Sequence, residues 1–259
     1  MTIFMNSIGR KEQNLTTEEY WSGAWNNFSL PQKINLNVKT LFLVDRVLKK
    51  NLPKGEGKKF LEIGCAPGSW MAYFNREFSY EVYGVENAKE AFEIAKKNLT
   101  ILGVKGNLVN EDVMKTSLEK ENFDVVFSHG FIEHFSNPDA AIKTHLNLLK
   151  KGGILILDVP NLRYFNYFFQ KWLNKEALRG HNLKTMNLSY FNEDVIQKYG
   201  LKKIFLGYLG GFYSFLFAFK KNEPRLWNIF RRIVDKVFKF LPHFESKYFS
   251  AYIFLIAQK

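Results

Sequence analysis

The chain has too few cysteines to form an internal disulfide, because Cys65 is the only one among its 259 residues. A disulfide-stabilised secreted framework is therefore excluded, and a reducing compartment is expected. No apolar run reaches the length of about 20 residues that a membrane-spanning helix needs. Residues 1–14 are polar and lack the apolar core of a signal peptide. Together these absences predict a cytoplasmic protein that is soluble or peripheral to the inner face of a membrane.

Acidic residues are also scarce, because 25 of them stand against 37 lysines and arginines and the net charge is +12. This excess of positive charge favours an acidic partner, such as a nucleotide-linked molecule, a phosphate or an anionic lipid. The basic residues are scattered along predicted helices, however, and a simple solvated surface has the same pattern. Hydrophobic residues make up 46% of the chain, so a full core is expected.

A regular alternation of strands and helices begins near residue 58. The strands are short apolar segments, and the helices repeat apolar residues at steps of three and four. The predicted strands cover 60–63, 81–85, 107–109, 123–127 and 154–159, and the predicted helices cover 69–78, 88–102 and 138–149. Strands separated by helices in this way imply a parallel, doubly wound α/β sheet.

The flanking segments are less regular. Pro31 opens a helical pattern that runs to Leu48, and this pattern predicts a helical N-terminal cap. After Pro160 we predict helices over 164–178, 192–199 and 225–241 and a strand over 251–257. The predicted organisation is a cap or lid over 1–55, a core over 56–160 and a segment over 161–259. Insertions in this last segment would form the acceptor pocket, and its final strands would complete the same domain.

The turn after the first strand reads Glu62-Ile63-Gly64-Cys65-Ala66-Pro67-Gly68. A dinucleotide-binding turn would read Gly-x-Gly-x-x-Gly, and that spacing is absent. An acid, two glycines and small residues stand there instead, and glycines allow a ligand to approach the backbone closely. This turn resembles motif I of the class I S-adenosylmethionine (SAM)-dependent methyltransferases, in which it wraps the methionine and ribose portions of SAM.

Later segments are similar to the same family in the same order. Glu86 and Asn87 end the second strand, where a carboxylate suits the two ribose hydroxyls. Asp112 and Val113 follow the third strand, in the family's adenine-contacting segment, and Ser128 ends the fourth strand. The stretches 131–135 and 148–156 are typical continuations. The resemblance implies a Rossmann-like sheet, mostly parallel with an antiparallel terminal strand, and SAM as cofactor with S-adenosylhomocysteine as product.

The resemblance also implies a set of cofactor contacts. Aromatic residues near the N-terminus resemble a segment that closes over SAM in many relatives. The predicted contacts are Tyr20, Trp21, Glu62, Gly64, Cys65, Ala66, Gly68, Trp70, Glu86, Asn87, Asp112, Val113 and Ser128. Structural roles are the alternatives for the acids: Glu62 could order the turn, Glu86 could lie at a helix N-terminus and Asp112 could cap a loop.

A catalytic base is needed only if the acceptor atom carries a proton, as a hydroxyl does, and histidine suits that role near neutral pH. The candidates are His134 and His129 at the end of the fourth strand and His181 in the following insertion. His134 could instead fix the loop. Some quinone-pathway relatives bind a divalent metal through two acids and a histidine around a Glu-His pair. Gly130 replaces one of those acids here, so no metal is predicted, although Glu133, His134 and His129 could form a cluster.

The predicted function is SAM-dependent O-methylation of a sugar, nucleotide-sugar or cell-surface glycan precursor, which would belong to polysaccharide biosynthesis. The alternatives are a lipid or quinone acceptor and a non-catalytic SAM-fold binding protein. A nicotinamide-dependent oxidoreductase would need the missing Gly-x-Gly turn. A nucleic-acid methyltransferase would carry Asn/Asp-Pro-Pro-aromatic where this chain has Ser128 to Phe131, so no nucleic-acid partner is expected.

The expected partner is a small, acidic or nucleotide-linked acceptor, bound by a monomer or a homodimer. The predicted helix over 225–241 is basic and amphipathic, and its pattern leaves three roles open. Its apolar face could cover the sheet or the acceptor pocket, contact a second copy, or lie on a membrane surface.

Overall fold

The computed structural model describes residues 15–16, 29–212, 225–240 and 244–259. Its strands are β1 (Lys59–Ile63), β2 (Glu81–Val85), β3 (Gly106–Val109), β4 (Phe123–His129), β5 (Leu149–Pro160), β6 (Lys202–Leu209) and β7 (Tyr252–Gln258). They form one seven-stranded sheet in the order β3-β2-β1-β4-β5-β7-β6. Strands β1 to β5 pair in parallel, and β7 runs antiparallel between β5 and β6. The predicted Rossmann-like fold class is confirmed.

The helices lie between and after these strands. They are α1 (Lys39–Asn51), α2 (Ser69–Phe78), α3 (Lys89–Leu102), α4 (Asp139–Leu148), α5 (Tyr164–Leu173), α6 (Lys175–Arg179), α7 (Leu188–Tyr190) and α8 (Arg225–Phe240). A π-helix over Phe191–Gln197 continues α7, and 3-10 turns cover Val113–Lys115, Ile132–His134 and Leu183–Thr185. In the parts of the chain described here, no helix has both the length and the apolar character to cross a membrane.

The core has two halves, one on each face of the sheet. Phe60 packs with Phe74 and Phe127 on one face, whereas its neighbour Leu61 belongs to the cluster on the other face. Successive strand residues point to opposite faces, so a strand that is apolar at every position is buried on both sides. This arrangement explains why the central strands read as continuous apolar runs rather than as alternating ones.

The first predicted helix begins later than its pattern suggested. The backbone N–H groups of Asn37 and Val38 donate to the side chain and the carbonyl of Asn35, respectively, so residues 35–38 form a turn. An asparagine side chain competes in this way with helical hydrogen bonds. Helix α1 therefore starts at Lys39, and the Thr40 hydroxyl donates to the Gly210 carbonyl at 2.8 Å beside β6.

Two other details differ from the sequence-based expectation. The helix predicted over 164–178 breaks at Asn174, whose φ of −152° and ψ of 81° are not helical. The sequence predicts final strands but no bounds for β6, which lies at the sheet edge with three exposed, four partly buried and one buried residue. The helix predicted over 225–241 is confirmed as α8.

Candidate active site

The turn between β1 and α2 depends on two glycines. Gly64 and Gly68 have φ values of 69° and 83°, in the left-handed region that L side chains rarely adopt. A Cβ atom on Gly64 would come within 3.3 Å of the Phe131 ring, and one on Gly68 would come within 3.2 Å of Leu99 Cγ. The turn is therefore a tight backbone cradle at the carboxyl end of β1, which is where open α/β sheets bind ligands.

Glu62 has a structural partner inside this turn. Its Oε2 accepts a hydrogen bond from the backbone N–H of Met71 at 3.1 Å, and burial raises the pKa of its carboxyl well above the usual value. The carboxyl group thus ties the end of β1 to the first turn of α2. This contact is the turn-ordering role that the sequence offered as an alternative, and contact with SAM stays a prediction.

Glu86 links the ends of β1 and β2. Its Oε1 accepts from the Ala88 N–H at 3.1 Å, and its Oε2 accepts from the Ala66 N–H at 3.4 Å. A carboxylate oxygen can accept more than one hydrogen bond, so both oxygens keep lone pairs for a diol. Asn87 is exposed beside it, and its carbonyl accepts from the Asn110 side chain at 2.9 Å.

Asp112 is exposed after β3, and its Oδ1 accepts from the Met114 N–H at 2.9 Å. It therefore caps the 3-10 turn that follows, as the alternative reading of this residue required. Val113 is buried in the same core cluster as Leu61, on one face of the sheet. An adenine contact at either residue stays a prediction.

Three of the predicted cofactor contacts have buried side chains. The Cys65 thiol is buried in the core, and the Ser128 hydroxyl donates to His145 Nε2 at 3.0 Å. Any contact of these two residues with a cofactor would therefore use their backbone groups. Trp70 is buried, and its ring packs edge-on against the rings of Phe127 and His129. The predicted lid residues Tyr20 and Trp21 lie outside the described residues.

His129 and Asp158 form a hydrogen-bonded pair at the carboxyl edge of the sheet. The parallel register of β4 and β5 sets the two residues side by side, and His129 Nδ1 lies 2.7 Å from Asp158 Oδ2. Asp158 is buried, whereas the His129 side chain is 35% exposed and contacts the rings of Trp70 and Tyr252. Burial lowers the pKa of His129, but the charge and hydrogen bond of Asp158 outweigh it and raise the pKa above its usual value.

Asp158 was not among the predicted site residues. Its signal in the sequence was an acid inside the otherwise apolar strand 154–159. A buried carboxylate without a partner is costly, so an acid in such a strand indicates a specific cation or hydrogen-bond donor nearby.

His134 and His181 form a second group with Glu133. The two imidazole centroids are 4.5 Å apart, and His134 Nδ1 donates to the Gly180 carbonyl at 2.7 Å. Burial and the neighbouring His181 lower the pKa of His134 to about 3, and burial raises the pKa of Glu133 well above normal. Ligand atoms from these three residues lie within 4.8 Å of one another. The sequence left open a cluster of Glu133, His134 and His129, whereas the structure groups Glu133 and His134 with His181 and pairs His129 with Asp158.

The turn fits SAM better than it fits a dinucleotide. The backbone turn at Gly64 and Gly68 lies next to Glu86, whose Oε2 accepts from the Ala66 N–H and which offers a carboxylate for the ribose hydroxyls at the end of the next strand. The Gly-x-Gly spacing that lets a backbone approach a pyrophosphate closely is absent from this turn.

The comparisons with known proteins agree with this geometry. A methyltransferase-domain family model matches residues 61–157. The ubiquinone biosynthesis O-methyltransferase of Pelagibacter ubique is 28% identical over 178 residues, which cover 64% of this chain and 70% of that protein. The tRNA U34 carboxymethyltransferase of Desulfotalea psychrophila is 32% identical over 120 residues, which cover 44% of this chain and 36% of that protein.

Solved structures share the fold at lower sequence identity. A SAM-dependent methyltransferase from Aquifex aeolicus has a TM-score of 0.58 and 12% identity, covering 94% of this chain and 98% of its own. Phosphoethanolamine N-methyltransferase 2 from Haemonchus contortus, in complex with SAM, has a TM-score of 0.61 and 19% identity, covering 94% of this chain and 57% of its own.

The sheet order and the glycine turn define a Rossmann-like methyltransferase domain. Together with the family match over residues 61–157, they support a class I SAM-dependent methyltransferase. It is a transferase that uses SAM as its cofactor.

Proposed function

We propose that this methyltransferase O-methylates a hydroxyl group of a small molecule, with His129 as the general base and Asp158 as the residue that positions it. The observation that carries the proposal is the 2.7 Å contact between His129 Nδ1 and Asp158 Oδ2. A carboxylate only accepts hydrogen bonds, so Nδ1 carries the proton and Nε2 keeps its lone pair. The lone pair belongs to a side chain that is partly exposed at the edge of the sheet where the cofactor turn lies.

The chemistry divides between the cofactor and the chain. SAM, when bound, supplies a methyl group activated by its sulfonium. His129 accepts the proton that the acceptor hydroxyl loses, and the Asp158 carboxylate stabilises the resulting imidazolium. The raised pKa of His129 suits this role, because a base is most effective when its pKa lies near the working pH.

His134, the other candidate at the end of the fourth strand, fits this role less well. A pKa of about 3 means that the imidazole has little affinity for a proton at neutral pH. Its Nδ1 holds the Gly180 carbonyl, and the neighbouring Asn182 N–H donates to the Glu133 carbonyl at 2.7 Å. These contacts support the alternative role, in which His134 fixes the loop after β4 against the insertion that contains His181.

Among acceptor classes, the comparisons support a lipid or quinone acceptor more than the sugar, nucleotide-sugar or glycan precursor. Several of the matching proteins, from Pelagibacter ubique and Cereibacter sphaeroides among others, are named ubiquinone biosynthesis O-methyltransferases. We therefore place a quinone precursor or a similar lipid-linked hydroxyl first. The tRNA-modifying relative shares a shorter part of its length, so an RNA acceptor is an outcome for the experiment to detect.

The test is a transfer assay with radiolabelled SAM and a panel of acceptors. The panel contains an isoprenoid-tailed catechol, nucleotide sugars, a polyprenol-linked sugar and bulk tRNA. Label in the catechol, lost in His129→Ala while S-adenosylhomocysteine still binds, is the expected result. Label in a sugar hydroxyl that is likewise lost in His129→Ala would support His129 as the base and indicate a sugar acceptor instead. Label in RNA, or transfer that does not depend on His129, would contradict the proposal.

A further inference from the structure

Helix α5 exposes an aromatic face at the edge of the sheet that carries the site. Phe165, Phe168 and Trp172 recur at steps of three and four, so they share one face of the helix. Phe168 is 71% exposed and Trp172 is 74% exposed. Large aromatic side chains are usually buried in a soluble domain, because each covers a large apolar area. A row of them in solvent therefore indicates a binding surface.

Helix α5 is held rigidly in this position. It begins at Tyr164, shortly after β5, the strand that contains Asp158, ends at Pro160. The Asn166 side chain donates to the Asn161 carbonyl at 2.8 Å, and the Asn161 side chain donates to the carbonyls of Lys247 and Ser250 at 3.0 Å. Asn161 and Asn166 are both buried. The exposure of the aromatic face is thus a property of a well-anchored helix.

Helix α8 presents a second apolar face to solvent. Its exposed members share one side of the helix and are Leu226, Ile229, Phe230, Ile233 and Val237. Leu226 is 79% exposed. Trp227, on the inner side, is partly buried and packs edge-on against Trp172 of α5 with ring centroids 6.4 Å apart. The expectation that this apolar face covers the sheet or the acceptor pocket is therefore wrong for these five residues. The pattern showed that one face is apolar, but not that this face points outward.

The charges beside these faces are positive. Helix α8 contains five basic residues and one acid, Asp235, and α5 contains Lys171 and no acid. Arg232 and Lys236 are exposed on the flank of the apolar row of α8. Two copies that met through this surface would bring positive helices together, whereas an anionic lipid surface would attract them. Tryptophan beside basic residues is also the composition found at membrane interfaces.

We propose that the exposed apolar faces of α5 and α8 form one membrane-docking surface for an anionic lipid bilayer. The apolar side chains enter the boundary between headgroups and acyl chains, while the flanking cations contact lipid phosphates. Docking sets the carboxyl edge of the sheet, with His129 and Asp158, next to the bilayer. This surface is independent of the methyl-transfer proposal, because it requires neither SAM nor an acceptor.

The experiment measures binding of the full chain to vesicles by sedimentation. Vesicles of equal parts phosphatidylglycerol and phosphatidylcholine are compared with vesicles of phosphatidylcholine alone, at low and high salt. We expect binding to the anionic vesicles that weakens as salt rises, because screening shortens the range of the attraction. The Phe168→Ser/Trp172→Ser variant should lose binding. Arg232→Gln and Lys236→Gln should each weaken it by about fivefold.

Matched controls separate docking from general effects of the substitutions. Ile101→Ser removes an exposed apolar side chain from α3, and Lys96→Gln and Lys97→Gln remove exposed cations from the same helix. All three should bind vesicles like the natural chain. Binding of S-adenosylhomocysteine by every variant shows that each one is folded.

Three results would overturn the proposal. The natural chain could ignore anionic vesicles at low salt, or the double aromatic variant could bind as well as the natural chain. The third result is a chain that does not bind vesicles but forms a dimer in analytical ultracentrifugation, which the Phe168→Ser/Trp172→Ser variant cannot form. The surface would then join two copies of the chain.

Discussion

His129 and Asp158 occupy paired positions on neighbouring parallel strands, and their Nδ1 and Oδ2 atoms are 2.7 Å apart. The pair joins a partly exposed imidazole to a carboxylate that lies inside the sheet. Asp158 Oδ2 is engaged by His129, whereas its Oδ1 has no hydrogen-bond partner among the described residues. The histidine is therefore the partner on which the buried acid depends.

Replacing His129 by Ala should lower turnover by about 10²–10⁴-fold, which is the usual loss when a general base is removed. The affinity for S-adenosylhomocysteine should be unchanged, because the cofactor turn lies on other residues. Steady-state kinetics and calorimetry measure the two quantities. His134→Asn is the matched comparison and should keep most of the turnover. A large loss in His134→Asn with none in His129→Ala would reverse the assignment.

The pH dependence of kcat/KM should carry the signature of the pair. The base must be neutral to accept a proton, so activity falls as pH drops below the pKa of His129. Because Asp158 raises that pKa, the acidic limb should lie above pH 6.5. Asp158→Asn removes the charge, so the limb should move to lower pH and turnover should fall. An acidic limb at the same pH in both proteins would show that Asp158 does not act through His129.

The same pair predicts a stability effect of known sign. A histidine whose pKa is raised by folding adds stability that is fully present below its unfolded pKa, and this stability is lost as pH rises through the folded pKa. The stability advantage of the natural chain over Asp158→Asn should therefore shrink from pH 6 to pH 8. Urea denaturation at several pH values measures it. A constant difference over that range would contradict a charged pair.

Replacing Glu86 by Ala should weaken binding of S-adenosylhomocysteine. Hydrogen bonds to a charged group are worth about 1.5–3 kcal/mol each, and two ribose hydroxyls would be affected. Calorimetry measures the change, and Glu93→Ala on the exposed side of α3 is the control. Unchanged affinity in Glu86→Ala would contradict a ribose contact and leave this residue its backbone contacts within the turn.

Treatment with a chelator should leave activity intact, because no metal is predicted at Glu133, His134 and His181. Burial favours the neutral forms of Glu133 and His134, and a neutral cluster is stable without a cation. The assay is turnover before and after dialysis against EDTA. Loss of turnover that a divalent cation restores would make this cluster a metal site, and the Gly130 argument from the sequence would then be wrong.

Much of the region from β1 to β5 could be predicted from local pattern. Helix α2 has the predicted bounds, and the predicted strands lie within β1 to β5, because periodicity and glycine turns act over a few residues. The turn at Gly64 and Gly68 could likewise be predicted, since its glycines belong to a local motif. The start of α1 was not, because one Asn35 turn outweighed a helical pattern.

The order of the strands and helices, the glycine turn and the class of cofactor can be inferred from the sequence alone, since each depends on residues close together along the chain. Which distant groups meet depends on tertiary packing. The parallel register of β4 and β5 pairs His129 with Asp158, and the insertion after β5 brings His181 to His134. Tertiary packing also decided which faces stay open, because an amphipathic pattern shows that α8 has an apolar side, and only the packing of the whole chain turns that side toward solvent.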